Sequence, residues 1–343
     1  MNSAATDDIQ VPRSFAYTAL ETTDADQHSV AIPECAHVYE PVGRAPFRGR
    51  VSELLLGPVH LLRDQVSNPF GYEGAGWMGA HVFFSFLPSS GTAFSHGRQI
   101  HQNTIVTYPP DHRYRTFCNG PIDCVAVSIR EHALAEELCR FAGEGIPSLK
   151  HAHFIADPDC VDRFQHGIAG LLSEVAAMPD LIEDCVWRQS AKDSMLGLLF
   201  DLVYFASAEP QKLPPPTTRS YIVDKAIEYM LSNVACLPAE LKDVCKTLRV
   251  SPRTLRYSFE KVVGVSPGHY LLSLRLRRVR QELVEGSGVT GIHRVAQRHG
   301  FGHMGRFALF YRQAFGEKPS ETCRRATGGR SSARGSSCAP MTR

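Results

Sequence analysis

The chain has 343 residues, 43% hydrophobic and 21% charged, which is enough for two domains with separate cores. Its net charge of +2 is unevenly spread: residues 1–216 hold 15 Lys and Arg against 26 Asp and Glu, whereas residues 217–343 hold 22 against 9. The polar, acidic start at residues 1–10 excludes a signal core there. The longest apolar stretch, 195–206, contains Asp201 and is too short to span a bilayer. Ten cysteines without a C-x-x-C pair argue against a zinc ribbon or a disulfide scaffold, so the expected location is the reducing cytoplasm, away from membranes.

Residues 1–45 read as a weakly ordered arm. From about Phe47 to Arg130, short apolar runs at 54–56, 59–62, 82–87, 105–108 and 124–129 are separated by turn clusters such as Asn68-Pro69, Pro109-Pro110-Asp111 and Asn119-Gly120. That pattern predicts a small antiparallel barrel or sandwich. Between 132 and 208 the period becomes helical, with Leu171, Leu172, Val175 and Ala176 and then Met195, Leu196, Leu199 and Leu202. Residues 46–209 are thus expected to be an α+β domain, barrel-like and cupin-like, with helices packed on it. Prolines within 210–220 make a stiff linker. Residues 326–343, rich in Gly, Ser and Arg, read as a disordered tail.

Residues 221–325 are all-helical in pattern and contain an internal repeat. Leu241, Val244, Cys245 and Val250 have the same spacing as Ile292, Val295, Ala296 and Phe301. Leu255, Phe259 and Val263 then correspond to Phe307, Tyr311 and Phe315, and the units close on Gly264-Val265-Ser266-Pro267 and Gly316-Glu317-Lys318-Pro319. Each unit reads as helix, tight turn, helix. Ser251 is the expected N-cap, with Pro252 at the first helical position, and Gly264 stops the helix. A long connector helix, 267–285, is expected between the units, with Leu272, Leu276, Val279 and Leu283 on one face. A helix of that length spans about 28 Å, near the roughly 34 Å of one duplex turn.

The string Val250-Ser251-Pro252-Arg253-Thr254-Leu255-Arg256, with Phe259, Gly264, Ser266-Pro267, Tyr270, Arg275-Leu276, Gly300-Phe301, Phe307, Phe315-Gly316 and Lys318-Pro319-Ser320, resembles the AraC/XylS family of transcription regulators. The resemblance implies that the two second helices enter successive major grooves of double-stranded DNA. By position, Arg253, Thr254, Arg256 and Tyr257 would face DNA from the first unit, and His303, Gly305 and Arg306 from the second. Arg253 and Arg256 have the donors to read guanine, while Lys261 and Arg312 are assigned to phosphates. Leu309 stands where many relatives carry Arg and Gly305 offers no side chain, so the second unit is expected to position more than it specifies. Cys245 replaces a usual Ala and reads as a small core residue. Arg275 is given a structural role, and Arg277, Arg278 and Arg280 either touch phosphate or face water.

The same resemblance makes the N-terminal domain the place where a small-molecule effector binds or two chains pair, and makes RNA polymerase an expected partner. Phe47-x-Gly49 before Glu53-Leu54-Leu55-Leu56 is similar to regulators of ethanolamine utilisation, which implies a small polar or amine ligand. Control by a protein partner without a ligand is the alternative. His81, His96 and His101, and the pair His151 and His153, lack the cupin metal spacing, so no metal and no cofactor are expected. Trp77, Phe83, Phe84, Phe86 and Tyr108 are assigned to sheet core in preference to a ligand pocket. Gly71, Gly74, Gly76 and Gly79 form a glycine-rich loop without a phosphate motif. No catalytic motif is present, and the chain is expected not to be an enzyme.

Overall fold

A computed structural model describes residues 15–32, 35–42, 46–95, 98–101, 104–142, 153–155, 158–208, 217–233, 240–285 and 291–334. In chain order the elements are β1 (Phe15–Thr22), α1 (Ala25–Ser29), β2 (Ala36–Pro41), β3 (Gly49–Leu56), β4 (Val59–Val66), β5 (Phe70–Ala75), β6 (Ala80–Phe86), β7 (Ala93–Ser95), β8 (Arg98–Ile100), β9 (Thr104–Tyr108), β10 (Arg113–Cys118) and β11 (Ile122–Arg130). Then come α2 (Glu131–Ala142), β12 (His153–Ile155), α3 (Pro158–Ala177), a 3-10 turn at Pro179–Glu183 and α4 (Cys185–Ala208). The last third is helical: α5 (Thr218–Asn233), α6 (Leu241–Leu248), α7 (Pro252–Val262), α8 (Pro267–Glu285), α9 (Ile292–Arg298), α10 (Met304–Phe315) and α11 (Pro319–Arg334). Among the described residues no helix is long and apolar enough to cross a membrane.

The strands form two antiparallel sheets, ordered β1-β3-β4-β11-β6-β9-β12 and β2-β5-β10-β7-β8. They face each other across a core that includes Phe70, Phe86, Val106, Tyr108 and Tyr114. The expected barrel-like domain is therefore a sandwich of two sheets, and among the described residues no ladder closes it. Alternation along β10 explains the layering. Tyr114, Thr116 and Cys118 point between the sheets and line the cavity there, whereas Phe117 packs on the other side against the helical domain. On the far face of the seven-stranded sheet, Leu54, Leu61, Phe83 and Val127 are covered by Phe164, Ile168, Leu199 and Leu202 of α3 and α4.

Two boundary expectations are corrected. The arm at 1–45 contains β1, α1 and β2 from Phe15 onward. β1 pairs with β3 along its whole length, yet most of its side chains are exposed. Ladder hydrogen bonds hold it, so it carries no apolar alternation to read. The tail expected from 326 is helical as far as Arg334. Extending a helix already started at Pro319 is far cheaper than nucleating one in a Gly- and Ser-rich segment. Most of the linker expected at 210–220 lies outside the described residues, and α5 already begins at Thr218. The glycine run is only partly a loop: Gly71 and Gly74 lie in β5, whereas Gly76 and Gly79 fall in the turn before β6. A Cβ on Gly71 would sit 3.2 Å from the Phe117 ring, and one on Gly76 would sit 2.3 Å from Val82.

The helical third is seated on the five-stranded sheet. Val42, Phe94 and Phe117 share one core with Ile222, Val223, Ile227, Phe259 and Tyr270. Asp224 of α5 is near Arg115 of β10, but burial outweighs that attraction and lifts its carboxyl to about 6. An acid with a raised folded pKa favours folding fully below its unfolded value of about 4 and loses that contribution as pH rises through about 6. Asp224→Asn is accordingly expected to raise the melting temperature at about pH 8 and to leave it nearly unchanged near pH 4, read by circular dichroism.

Candidate nucleic-acid interface

The first unit is α6 and α7 joined by a tight turn. Arg249 makes the turn in the left-handed region (φ 54°), with its N–H donating to the carbonyls of Cys245 and Lys246. Ser251 caps α7, its Oγ accepting from the Thr254 N–H at 3.0 Å, and Pro252 opens the helix as expected. Leu255, Ser258, Phe259 and Val262 are buried, which fixes the opposite face outward. Gly264, at φ 80°, ends the unit, its N–H donating to the Phe259 carbonyl at 3.1 Å.

In the second unit α9 is followed by Gly300 at φ 83° and then α10, closed by Gly316 at φ 72°. Phe307 and Tyr311 are buried, and Phe301 packs on Phe307 with ring centroids 5.0 Å apart. The connector α8 runs over Pro267–Glu285, the range read from periodicity, with Leu276, Val279 and Leu283 buried in the second unit's core.

Every candidate contact residue is exposed: Arg253, Thr254, Arg256, Tyr257 and Lys261 on α7, and His303, Gly305, Arg306 and Arg312 on or next to α10. Arg256 Nε lies 2.7 Å from Glu260 Oε1, an exposed i,i+4 pair of the kind that contributes little to stability. The guanidinium is thus held in place yet cheaply released. The Tyr257 ring lies under Arg219 at 4.8 Å and near Lys261 at 5.9 Å, so its face already gathers cations.

The connector arginines divide differently from the sequence reading. Arg278 is exposed. Arg275 is half-buried near Glu240, and burial lowers its pKa. Arg277 and Arg280 turn toward the N-terminal domain: Arg277 pairs with Glu40 at 2.5 Å, and Arg280 with Asp24 at 2.5 Å and Asp26 at 3.1 Å. Partners that distant in sequence leave no local signal. Cys245 is partly buried against the first unit's core, and burial raises its thiol pKa.

A second site lies between the sheets. A cavity of about 60 Å³ is lined by apolar groups including Leu62, Phe84 and Phe86, with His37, Asp64, Tyr72 and Tyr114 in its wall. Asp64 is braced by His28 Nε2 at 2.9 Å and by the Tyr39 hydroxyl, which donates at 2.5 Å. Burial pulls the His37 imidazole down to about 4 against the attraction of Asp64, so it is neutral at physiological pH. Sequence reading missed His37 and Asp64; the available signal was a polar residue at an inward position of a strand. Phe84 and Phe86 line this cavity, whereas Phe83 faces the α3 and α4 layer, Tyr108 stacks on Tyr114 and Trp77 lies beneath Arg130. His96 and His151 lie outside the described residues, and among the described residues no three His, Cys, Asp or Glu side chains cluster as metal ligands.

Comparison with known proteins matches residues 244–325 to a helix-turn-helix domain family. Over 104 residues the chain is 36% identical to the probable thc operon regulatory protein of Rhodococcus erythropolis, covering 30% of this chain and 31% of that protein. Over 85 residues it is 41% identical to the XylDLEGF operon transcriptional activator of Pseudomonas putida, covering 24% and 26%. The chain thus spans about a third or less of the length of these curated relatives. Among solved structures, the AraC-like transcriptional activator CuxR aligns at 13% identity and a TM-score of 0.38, over 76% of this chain and 94% of that one. A probable AraC family regulator from Rhodopseudomonas palustris CGA009 aligns at 32% identity and a TM-score of 0.29, over 31% and 97%. The likeness rests on the helical third and on its sequence relatives.

Proposed function

We propose that the chain is a sequence-specific DNA-binding transcription regulator of the AraC/XylS type, acting as an activator through RNA polymerase. One observation carries the reading: two copies of a helix whose inner face is core and whose outer face presents exposed basic side chains. The roughly 28 Å connector is long enough to set them about one duplex turn apart. Residues 221–325 are the DNA-binding domain in this reading, and residues 46–209 the regulatory domain. Arg253 and Arg256 read bases and Thr254 and Tyr257 support them. His303, Gly305 and Arg306 are the second unit's approach to the groove, and Lys261 and Arg312 neutralise phosphate.

The first test is enrichment of duplexes from a random library, followed by gel shift. Arg253→Ala is expected to cost about 1–3 kcal/mol of binding and to relax preference at one base pair. Equal weakening on all duplexes would reassign Arg253 to phosphate.

The cavity between the sheets favours control by a small molecule over control by a protein partner. Its His37, Asp64 and hydroxyl-bearing Tyr72 and Tyr114 suit a small ligand with one polar group. Thermal shift against a metabolite panel separates the two readings: saturable stabilisation supports the ligand, and none across the panel favours the partner.

A further inference from the structure

The duplication places α7 and α10 in register, Leu255 on Phe307 and Phe259 on Tyr311, both pairs buried. The outward positions then correspond as well. Arg253, Arg256, Tyr257 and Lys261 of the first unit fall on Gly305, Ala308, Leu309 and Gln313 of the second, and all eight are exposed. Tyr257 and Leu309 are both large apolar side chains in solvent, 46% and 55% exposed. Leu309 lies one helical turn after Gly305 and one before Arg312 and Gln313, at the middle of the face opposite Phe307 and Tyr311. A Cβ on Gly305 would meet nothing within 4 Å, so the surface before Leu309 is low and open. Exposed Arg306 and Arg312 flank it, which matches a polyanion and not an apolar protein partner.

Leucine has no donor or acceptor, so it can discriminate bases only through apolar contact. On the major-groove edges of the four base pairs the apolar group is the C5 methyl of thymine. We propose that the second unit reads sequence through Leu309, which packs on a thymine methyl, while the first unit reads through hydrogen bonds from Arg253 and Arg256. This deepens the DNA-binding reading and rests on it. It also gives the second unit a specificity of its own, where the sequence alone suggests mere positioning.

The experiment uses the full chain. Duplexes are enriched from a random library with the unaltered protein and with Arg253→Ala; the half-site whose preference survives in the variant belongs to the second unit. Each thymine in that half is then replaced by deoxyuridine, which removes only the methyl, and affinity is measured by fluorescence anisotropy. One such replacement is expected to weaken binding about three- to fivefold, the worth of burying about one methyl-sized group. Leu309→Ala is expected to be weaker by a similar factor on the thymine duplex and indifferent to that same replacement, with an unchanged melting temperature. If no deoxyuridine position matters, or if Leu309→Ala responds to it as the unaltered chain does, the proposal is overturned while DNA recognition stands. If no duplex is enriched at all, both fall.

Discussion

Arg280→Met is expected to destabilise the chain by about 3 kcal/mol, toward the lower end of the cost of stripping one partner from a buried ion pair. The Arg280 side chain is 8% exposed and collects Asp24, Asp26 and Glu317 within 4 Å, with its guanidinium 4.7 Å over the Phe315 ring. One side chain therefore ties α1, α8 and the segment before α11. Removing it leaves carboxylates of the two domains facing one another without a cation between them. Asp26 is 62% exposed and water takes up part of its charge, which keeps the cost from going higher. Urea denaturation of the full chain gives the number. Asp24→Asn in the Arg280→Met background should recover part of the loss, because it removes a repelling charge instead of a partner. A cost below about 1 kcal/mol would mean that the cluster behaves like a surface pair.

Phe259→Ala is expected to cost about 3–5 kcal/mol, the range for emptying an aromatic site in a core. Phe259 is fully buried, packs edge-on against Tyr270 at 5.7 Å and shares its core with Leu255, Val262 and Phe117 of the sheet. The cavity would open under the outward face of α7, so DNA affinity should fall together with the helical melting temperature. Tyr257→Ala, two residues earlier but exposed, is the control. It should leave the melt within about 0.5 kcal/mol of the unaltered chain, the usual range for a surface change. A Phe259→Ala chain that melts normally would show that the unit relaxes to fill the space.

The helical third was legible because its signals are local. Ser251 and Pro252 announce a helix start, Gly264 and Gly316 announce stops, and apolar residues every three or four positions fix the inner faces. The nine contact candidates were named by position from the family resemblance, and all nine are exposed. Arg249, a non-glycine in the left-handed region, gave no such signal. The sheets were legible only as a class. β1 is paired but exposed, and the identity of inward residues on β10 depends on which sheet lies opposite, a fact settled by packing. The contacts between domains were not legible at all. Glu40 and Tyr270 are 230 positions apart and Asp24 and Arg280 are 256 apart, so nothing in any window of sequence links them.

The seating of the helices on the five-stranded sheet has a practical corollary for anyone dividing this molecule. Val42, Phe94 and Phe117 belong to the same oily interior as Phe259 and Tyr270. A cut through the proline-rich stretch would bare greasy walls on both pieces, and each fragment would clump or re-associate with its mate unless those walls were first made hydrophilic.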